Sequence, residues 1–199
     1  MFRLLIPLLF VLAACASTPE PEVAVAPQPA LYPGETPAVR SLIEKWADYY
    51  DMPASLIHKV VQRESDYRAR ARNGPYYGMM QILPATARNM GMVGKPSQLL
   101  DADTGLKYSI RYLRGAWMVS DGSEYEAMMW YAKGYYFEAK RRGLLRETGL
   151  RGELWQRYDA GMTEMPPIDA QGRILAKAPE PECRTATGFA GLVGAETCS

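Results

Sequence analysis

L-I-H-K-V-V-Q-R-E-S-D-Y-R-A-R-A-R-N-G-P-Y-Y-G-M-M-Q-I-L-P-A-T-A, Leu56 to Ala87, is the stretch on which the reading of this chain turns. Read as a helix from about Ala54, it puts Leu56, Ile57, Val60 and Val61 on one face at roughly 100° per residue, with Glu64 near the middle of that face. Lys59, Gln62 and Arg63 point the other way. A carboxylate directed into an apolar stripe loses hydration, which disfavours its charged form and raises its pKa. Glutamates become general acids near neutral pH in this way. The alternative on these residues alone is a glutamate at a helix C-terminus that reaches water or pairs with an arginine between Arg63 and Arg88.

The residues after Glu64 carry more. E-S-x-[FY], a polar loop, then G-[LM]-M-Q-[IL]-x-P-x-T-A is met by Glu64, Ser65, Tyr67, Gly78, Met80, Gln81, Pro84, Thr86 and Ala87. This order of positions resembles the soluble lytic transglycosylase family, which has a lysozyme-like fold. The resemblance runs from about Val39 to Gly143. It implies that Glu64 is the catalytic residue and that Ser65, Asn73, Gly78, Met80, Gln81 and Tyr131 surround a peptidoglycan strand. In that family Gly78 would let the backbone approach the sugar, Met80 and Gln81 would line the cleft, and Gln81 would hydrogen-bond an acetamido group. Tyr131 matches the tyrosine of the family's Y-N-A-G segment, close to the glutamate. This chain departs from the pattern there, with Tyr131-Ala132-Lys133-Gly134, and Asn73 stands where serine is usual. Lys133 is either a solvated lysine or a group that favours anionic muramoyl or peptide carboxylates.

Glycoside cleavage usually takes two carboxylates flanking the bond. On a continuing helix Asp66 would lie roughly 200° from Glu64 and could not face the same sugar. Asp51, Asp101 and Asp103 are better explained as caps. The family resemblance implies how one acid suffices. The glutamate protonates the glycosidic oxygen between N-acetylmuramic acid and N-acetylglucosamine, and the 2-acetamido group stabilises the cationic sugar. The same glutamate then deprotonates the C6 hydroxyl, which closes a 1,6-anhydro ring. No cofactor is implied. A metal site is not expected either, because the sole histidine, His58, reads as lying off the apolar face with no cysteine or second histidine nearby.

Outward from this stretch the periodicity is helical. Leu42, Ile43, Trp46 and Tyr49 or Tyr50 predict a helix closing at Asp51, and Pro53 suits the start of the next. Asn73-Gly74-Pro75 is turn chemistry in a polar loop over 68–77, and Pro84 and Gly91 bracket a short helix. Ala102, Leu106, Ile110, Leu113 and Trp117 predict a longer helix from about Asp101 to Ser120. Ser123-Glu124-Tyr125-Glu126 is a capping-box pattern opening another, and one more helix is expected over 135–142. With no strand run over 39–145, the fold class is all-α or nearly so.

The termini read differently. Met1 to Cys15 has one basic residue, an apolar run and a small-residue ending, the proportions of a signal peptide over 1–14. Leu12-Ala13-Ala14-Cys15 resembles the bacterial lipobox, which implies lipidation of Cys15. The other reading is an ordinary cleaved signal with an incidental cysteine. With Ala16 following, the resemblance implies a lipid anchor in the outer membrane, facing the periplasm. The Pro- and Ala-rich segment 15–38 reads as a tether, 39–143 as the lysozyme-like domain, and 144–199 as a partly disordered C-terminal extension. In an exported protein Cys183 and Cys198 are expected to form a disulfide, and closing a loop of about 15 residues would contribute roughly 3 kcal/mol.

Composition agrees with a globular domain: 48% of the 199 residues are hydrophobic, and 23 basic residues face 22 acidic ones, so no net field favours nucleic acid. Two rival readings stand beside the transglycosylase one. The first is a lysozyme-like module that binds peptidoglycan without cutting it; the second is a lysozyme-type hydrolase.

Overall fold

A computed structural model describes residues 29–176. Cys15, Cys183 and Cys198, with the expected lipid attachment and disulfide, lie outside the described residues. From Leu31 onward the described chain packs as one unit. Its elements are helices α1 (Pro37–Tyr49), α2 (Ala54–Ser65), α3 (Pro84–Asn89), α4 (Ala102–Met118), α5 (Glu124–Lys133), α6 (Tyr136–Arg142) and α7 (Leu154–Asp159). A 3₁₀ turn over Pro96–Leu100 precedes α4. Among these residues no helix is long and apolar enough to cross a membrane.

Local chemistry starts and stops the helices. Thr36 caps α1 by accepting from Val39 N–H, and Pro37 fills the first turn, where a missing N–H costs nothing. Asp101 and Ser123 cap α4 and α5 by accepting from Thr104 N–H (2.9 Å) and Glu126 N–H (3.2 Å). The longest helix, α4, runs through the middle of the fold and packs against α1, α3 and α5. Its stripe of Leu106, Ile110, Leu113, Ala116 and Trp117 joins Ile43 and Trp46 of α1 and Leu56, Ile57, Val60 and Val61 of α2 in one core. The mostly helical expectation holds, with a small exception. The polar loop contains a two-residue hairpin, β1 (Arg72–Asn73) and β2 (Tyr76–Tyr77), paired Arg72 to Tyr77 and Asn73 to Tyr76 across Gly74-Pro75.

Packing extends past both expected edges of the domain. Ahead of Val39, Glu35 is buried and accepts from Arg40 Nε (2.6 Å), Arg40 Nη2 (2.5 Å) and Tyr32 N–H (2.8 Å). Tyr32 also packs on the ring of His58, centroids 4.8 Å apart. His58 is therefore buried, not off the packed surface as its helical position predicted, because residues ahead of α1 cover that side of α2.

Past Gly143, Trp155 is buried in the main core, and Asp159 binds the fully buried guanidinium of Arg111 in a two-armed ion pair. Arg111 also donates to the Tyr50 hydroxyl and the Met90 carbonyl, each at 2.8 Å. Pro166 supplies a carbonyl to Arg114 at 2.5 Å. The segment assigned to an extension thus closes one side of the domain.

Removing one partner of a buried ion pair leaves an uncompensated charge, a loss of several kcal/mol. Asp159→Ala is expected to lower unfolding stability by about 3 kcal/mol, measured as a shifted urea midpoint. Arg111→Met combined with Asp159→Leu should recover most of that loss. A midpoint unchanged by Asp159→Ala would mean that α7 is dispensable.

Candidate functional site

Glu64 lies in the last turn of α2, and the backbone turns sharply just beyond it. Asp66 (φ 53°, ψ 52°) is left-handed and returns its N–H to the carbonyls of Gln62 and Val61. Tyr67 is left-handed as well (φ 63°). Two consecutive non-glycine residues in this region are strained and need support from their surroundings. The support is tertiary: the Tyr67 ring is buried and its hydroxyl lies 2.8 Å from His58 Nδ1. Burial pushes the His58 pKa down, although the nearby Glu35 carboxylate opposes the shift.

The turn leads into a cleft of about 860 Å³. Arg63 and Glu64 line it from α2, and Arg68, Ala71, Arg72, Asn73 and Tyr76 from the loop and hairpin. Gln81, Ile82, Leu83 and Thr86 contribute from the next turn and α3, Tyr112 from α4, and Tyr131, Ala132, Lys133 and Gly134 from the end of α5. Glu64 is the one carboxylate among these lining residues. Its side chain is 23% exposed, and burial raises its pKa above the ordinary carboxylic range. Arg63 pulls the other way, but its Nε stands 3.8 Å from Glu64 Oε1, too far for a hydrogen bond, and burial wins.

The residues expected around a substrate divide into two groups. Asn73, Gln81 and Tyr131 line the cleft with Glu64; Ser65, Gly78 and Met80 do not. Ser65 is buried and donates to the Met79 carbonyl at 2.7 Å. Met80 is a core side chain whose carbonyl accepts from the Tyr131 hydroxyl at 2.9 Å. Gly78 (φ +75°) is fixed by packing, since a Cβ there would stand 2.3 Å from the Leu99 carbonyl oxygen. Gln81, itself left-handed at φ 50°, donates from Nε2 to the carbonyls of Gly78 (2.7 Å) and Ala71 (3.3 Å). Both amide hydrogens are thereby used inside the protein, leaving only its carbonyl oxygen for a ligand. Burial, with the Glu64 charge adding to it, pushes the Tyr131 hydroxyl pKa well up, so it stays a neutral donor.

Sequence reasoning did not single out Tyr112, whose ring meets that of Tyr131 edge-on at 5.3 Å, nor Arg68 and Arg72 as cleft residues. Tyr112 stands beside the buried stripe of α4, and no local pattern distinguishes it from a surface tyrosine. From the sequence His58 is considered only as a metal ligand, and its contacts with Tyr32, Glu35 and Tyr67 come from the chain ahead of α1 and the turn after α2.

The Transglycosylase SLT domain family matches residues 41–147, over half of the chain. The protein belongs to that family. No solved structure matches the chain. The SLT match begins one residue after Arg40 and ends ahead of α7, so the Glu35–Arg40 pair, Trp155 and Asp159 lie outside the matched residues and pack against them.

A folded-state pKa above the unfolded value means that the native state disfavours the Glu64 carboxylate. Its cost is absent below the unfolded pKa, where the group is neutral in both states, grows as pH rises above that value, and is fully present once pH passes the raised folded value. Glu64→Gln is accordingly expected to melt at higher temperature than wild type at pH 7 to 8. The two should converge as pH falls below the ordinary carboxylate range. Parallel melting curves at every pH would mean that Glu64 titrates as an ordinary surface acid.

Proposed function

We propose that this SLT domain is a peptidoglycan lytic transglycosylase, cleaving the β-1,4 bond between N-acetylmuramic acid and N-acetylglucosamine without consuming water. The observation that carries this reading is a single half-buried carboxylate, held toward its protonated form, as the only acid among the described residues that line a cleft of about 860 Å³. Protonated Glu64 gives its proton to the glycosidic oxygen as the C1–O bond breaks. The substrate's own acetamido oxygen shields C1. The Glu64 carboxylate then takes the proton of the C6 hydroxyl, whose oxygen bonds to C1 and closes the 1,6-anhydro ring. The proton count balances, and Glu64 ends protonated, ready for the next bond.

Roles follow from position. Tyr131 and Tyr112 offer aromatic faces and edges to sugar rings, Asn73 and the Gln81 carbonyl offer polar contacts, and Ser65, Gly78 and Met80 shape the turn. A hydrolase would need a second carboxylate to activate water, and none lines the cleft among the described residues. We place the enzyme in the cell envelope, anchored by lipid at Cys15 on the periplasmic side of the outer membrane, with Cys183 and Cys198 bridged.

Digestion of purified sacculi followed by mass analysis of released muropeptides tests the chemistry. Anhydro ends are expected; reducing ends would make the protein a hydrolase, and binding without release would make it a module. Glu64→Gln should bind and release nothing. The cleavage rate should fall as pH rises through the raised Glu64 pKa. Arg63→Gln removes the charge that opposes the shift, so it should move that falling limb to higher pH. Movement to lower pH would refute the assignment of the limb to Glu64.

A further inference from the structure

Four cations and one acid line the cleft: Arg63, Arg68, Arg72 and Lys133 against Glu64. The whole chain is almost balanced, at 23 basic and 22 acidic residues, so this excess is local. Elsewhere three buried or half-buried arginines are neutralised by carboxylates, Arg40 by Glu35, Arg111 by Asp159, and Arg142 by Asp121 and Glu138, while the fully buried Arg114 has its donors filled by the carbonyls of Tyr50 and Pro166. In the cleft the arrangement is different. Arg68 donates from Nε to the Ser65 carbonyl at 2.8 Å, the Arg72 guanidinium stacks 4.7 Å from the centre of the Tyr77 ring, and Lys133 Nζ sits 3.9 Å over Trp130. Neutral groups hold all three, and none makes an ion pair among the described residues. Such contacts fix where a cation stands and leave its charge uncompensated. Like charges gathered along one concave surface create a potential that an incoming anion relieves.

The sugar backbone of a glycan strand carries no charge that could answer this potential. Carboxylates hung from it do. We propose that Arg68, Arg72 and Lys133 form a carboxylate-reading rim, through which the cleft selects muramoyl strands bearing acidic groups over uncharged saccharides. The inference rests on the reading of this cleft as a glycan site. The carboxylates come either from peptide stems or from the lactyl groups left when stems are removed, and both sources present the same anion to the rim. Arg63 is the exception among the four, because its nearest charge is Glu64 and its part is to tune that acid.

The test is made on the full chain carrying Glu64→Gln, so that nothing is cut during the measurement. Calorimetry compares three soluble ligands at low and high salt: stem-bearing strands, stem-free muramoyl strands, and neutral chito-oligosaccharides of the same length. The ratio of anionic to neutral affinity should fall with salt. It should also fall about fivefold or more when Arg72→Gln and Lys133→Gln are added, two exposed charge contacts being lost. Arg72→Lys with Lys133→Arg should restore it. Whichever anionic strand loses more with the glutamine pair identifies the source of the bound carboxylate. A disturbed cleft shape would weaken all three ligands alike, and an unchanged ratio or salt slope overturns the proposal. Because this readout is binding alone, it stands whether or not wild type yields anhydro ends, and a failure of cleavage leaves it intact.

Discussion

Two hydroxyls on different helices grip adjacent carbonyls of one turn, and the cleft depends on that grip. Ser65, at the end of α2, donates to Met79 at 2.7 Å; Tyr131, in the last turns of α5, donates to Met80 at 2.9 Å. Each bond contributes about 1 kcal/mol net, and losing either would strand a buried acceptor at greater cost. The methionine side chains 79 and 80 are buried, so the turn is anchored by core packing while its backbone is held by hydroxyls. Gly78 lets the same turn press against the Leu99 carbonyl, and the Gln81 amide closes it from the other end. The residue next to Ser65 is Glu64, and Tyr131 lines the cleft. The clamp that orders the turn therefore also sets the acid and the aromatic wall relative to one another.

Arginine is used in two opposite ways in this protein. Inside, Arg111 is saturated by a carboxylate, a phenol and a carbonyl. Arg114 donates to the carbonyls of Tyr50 and Pro166, and burial draws its pKa down to about 10. Desolvating a guanidinium is tolerable only when its fork of donors is filled. Filling these forks draws the residues around Asp159 and Pro166 onto the helical core. In the cleft the guanidiniums stay wet, rest on carbonyl and aromatic groups, and keep their charge available.

Glu64 sits between these two regimes. Burial raises its pKa, while an arginine next to it in sequence limits the rise. Under the proposed function, a fully buried, uncharged glutamate would hold its proton too firmly to give it to the glycosidic oxygen. A freely solvated one would have no proton to give near neutral pH. The balance is set by geometry: the helix ends one residue past Glu64, and the strained left-handed turn at Asp66 and Tyr67 that follows is held in place by the His58–Tyr67 contact. Under the proposed function, such an arrangement trades native stability for chemistry at one position.

Much of this was legible in the order of residues. Stripes at helical spacing placed α1, α2 and α4, and Asp101, Ser123, Pro84 and the Asn73-Gly74-Pro75 turn marked boundaries, because propensity, capping and turn formation act within a few residues of chain. Its place on one amphipathic face left Glu64 with an alternative reading, and only the order of residues from Ser65 to Ala87 singled it out. Other features could not be read locally. Glu35 reaching His58 and Asp159 reaching Arg111 join segments with no shared period. The apparent roles of Gly78, Met80 and Ser65 became those of packing and backbone support once Leu99, Tyr131 and Met79 were beside them. The cationic wall of the cleft is likewise assembled from a turn, a hairpin and a helix end in a chain whose overall charge is nearly zero. Short-range sterics and hydrogen bonding write the elements into the sequence. Burial, ion pairing and local potential depend on which distant residues meet, and those exist only in the folded chain.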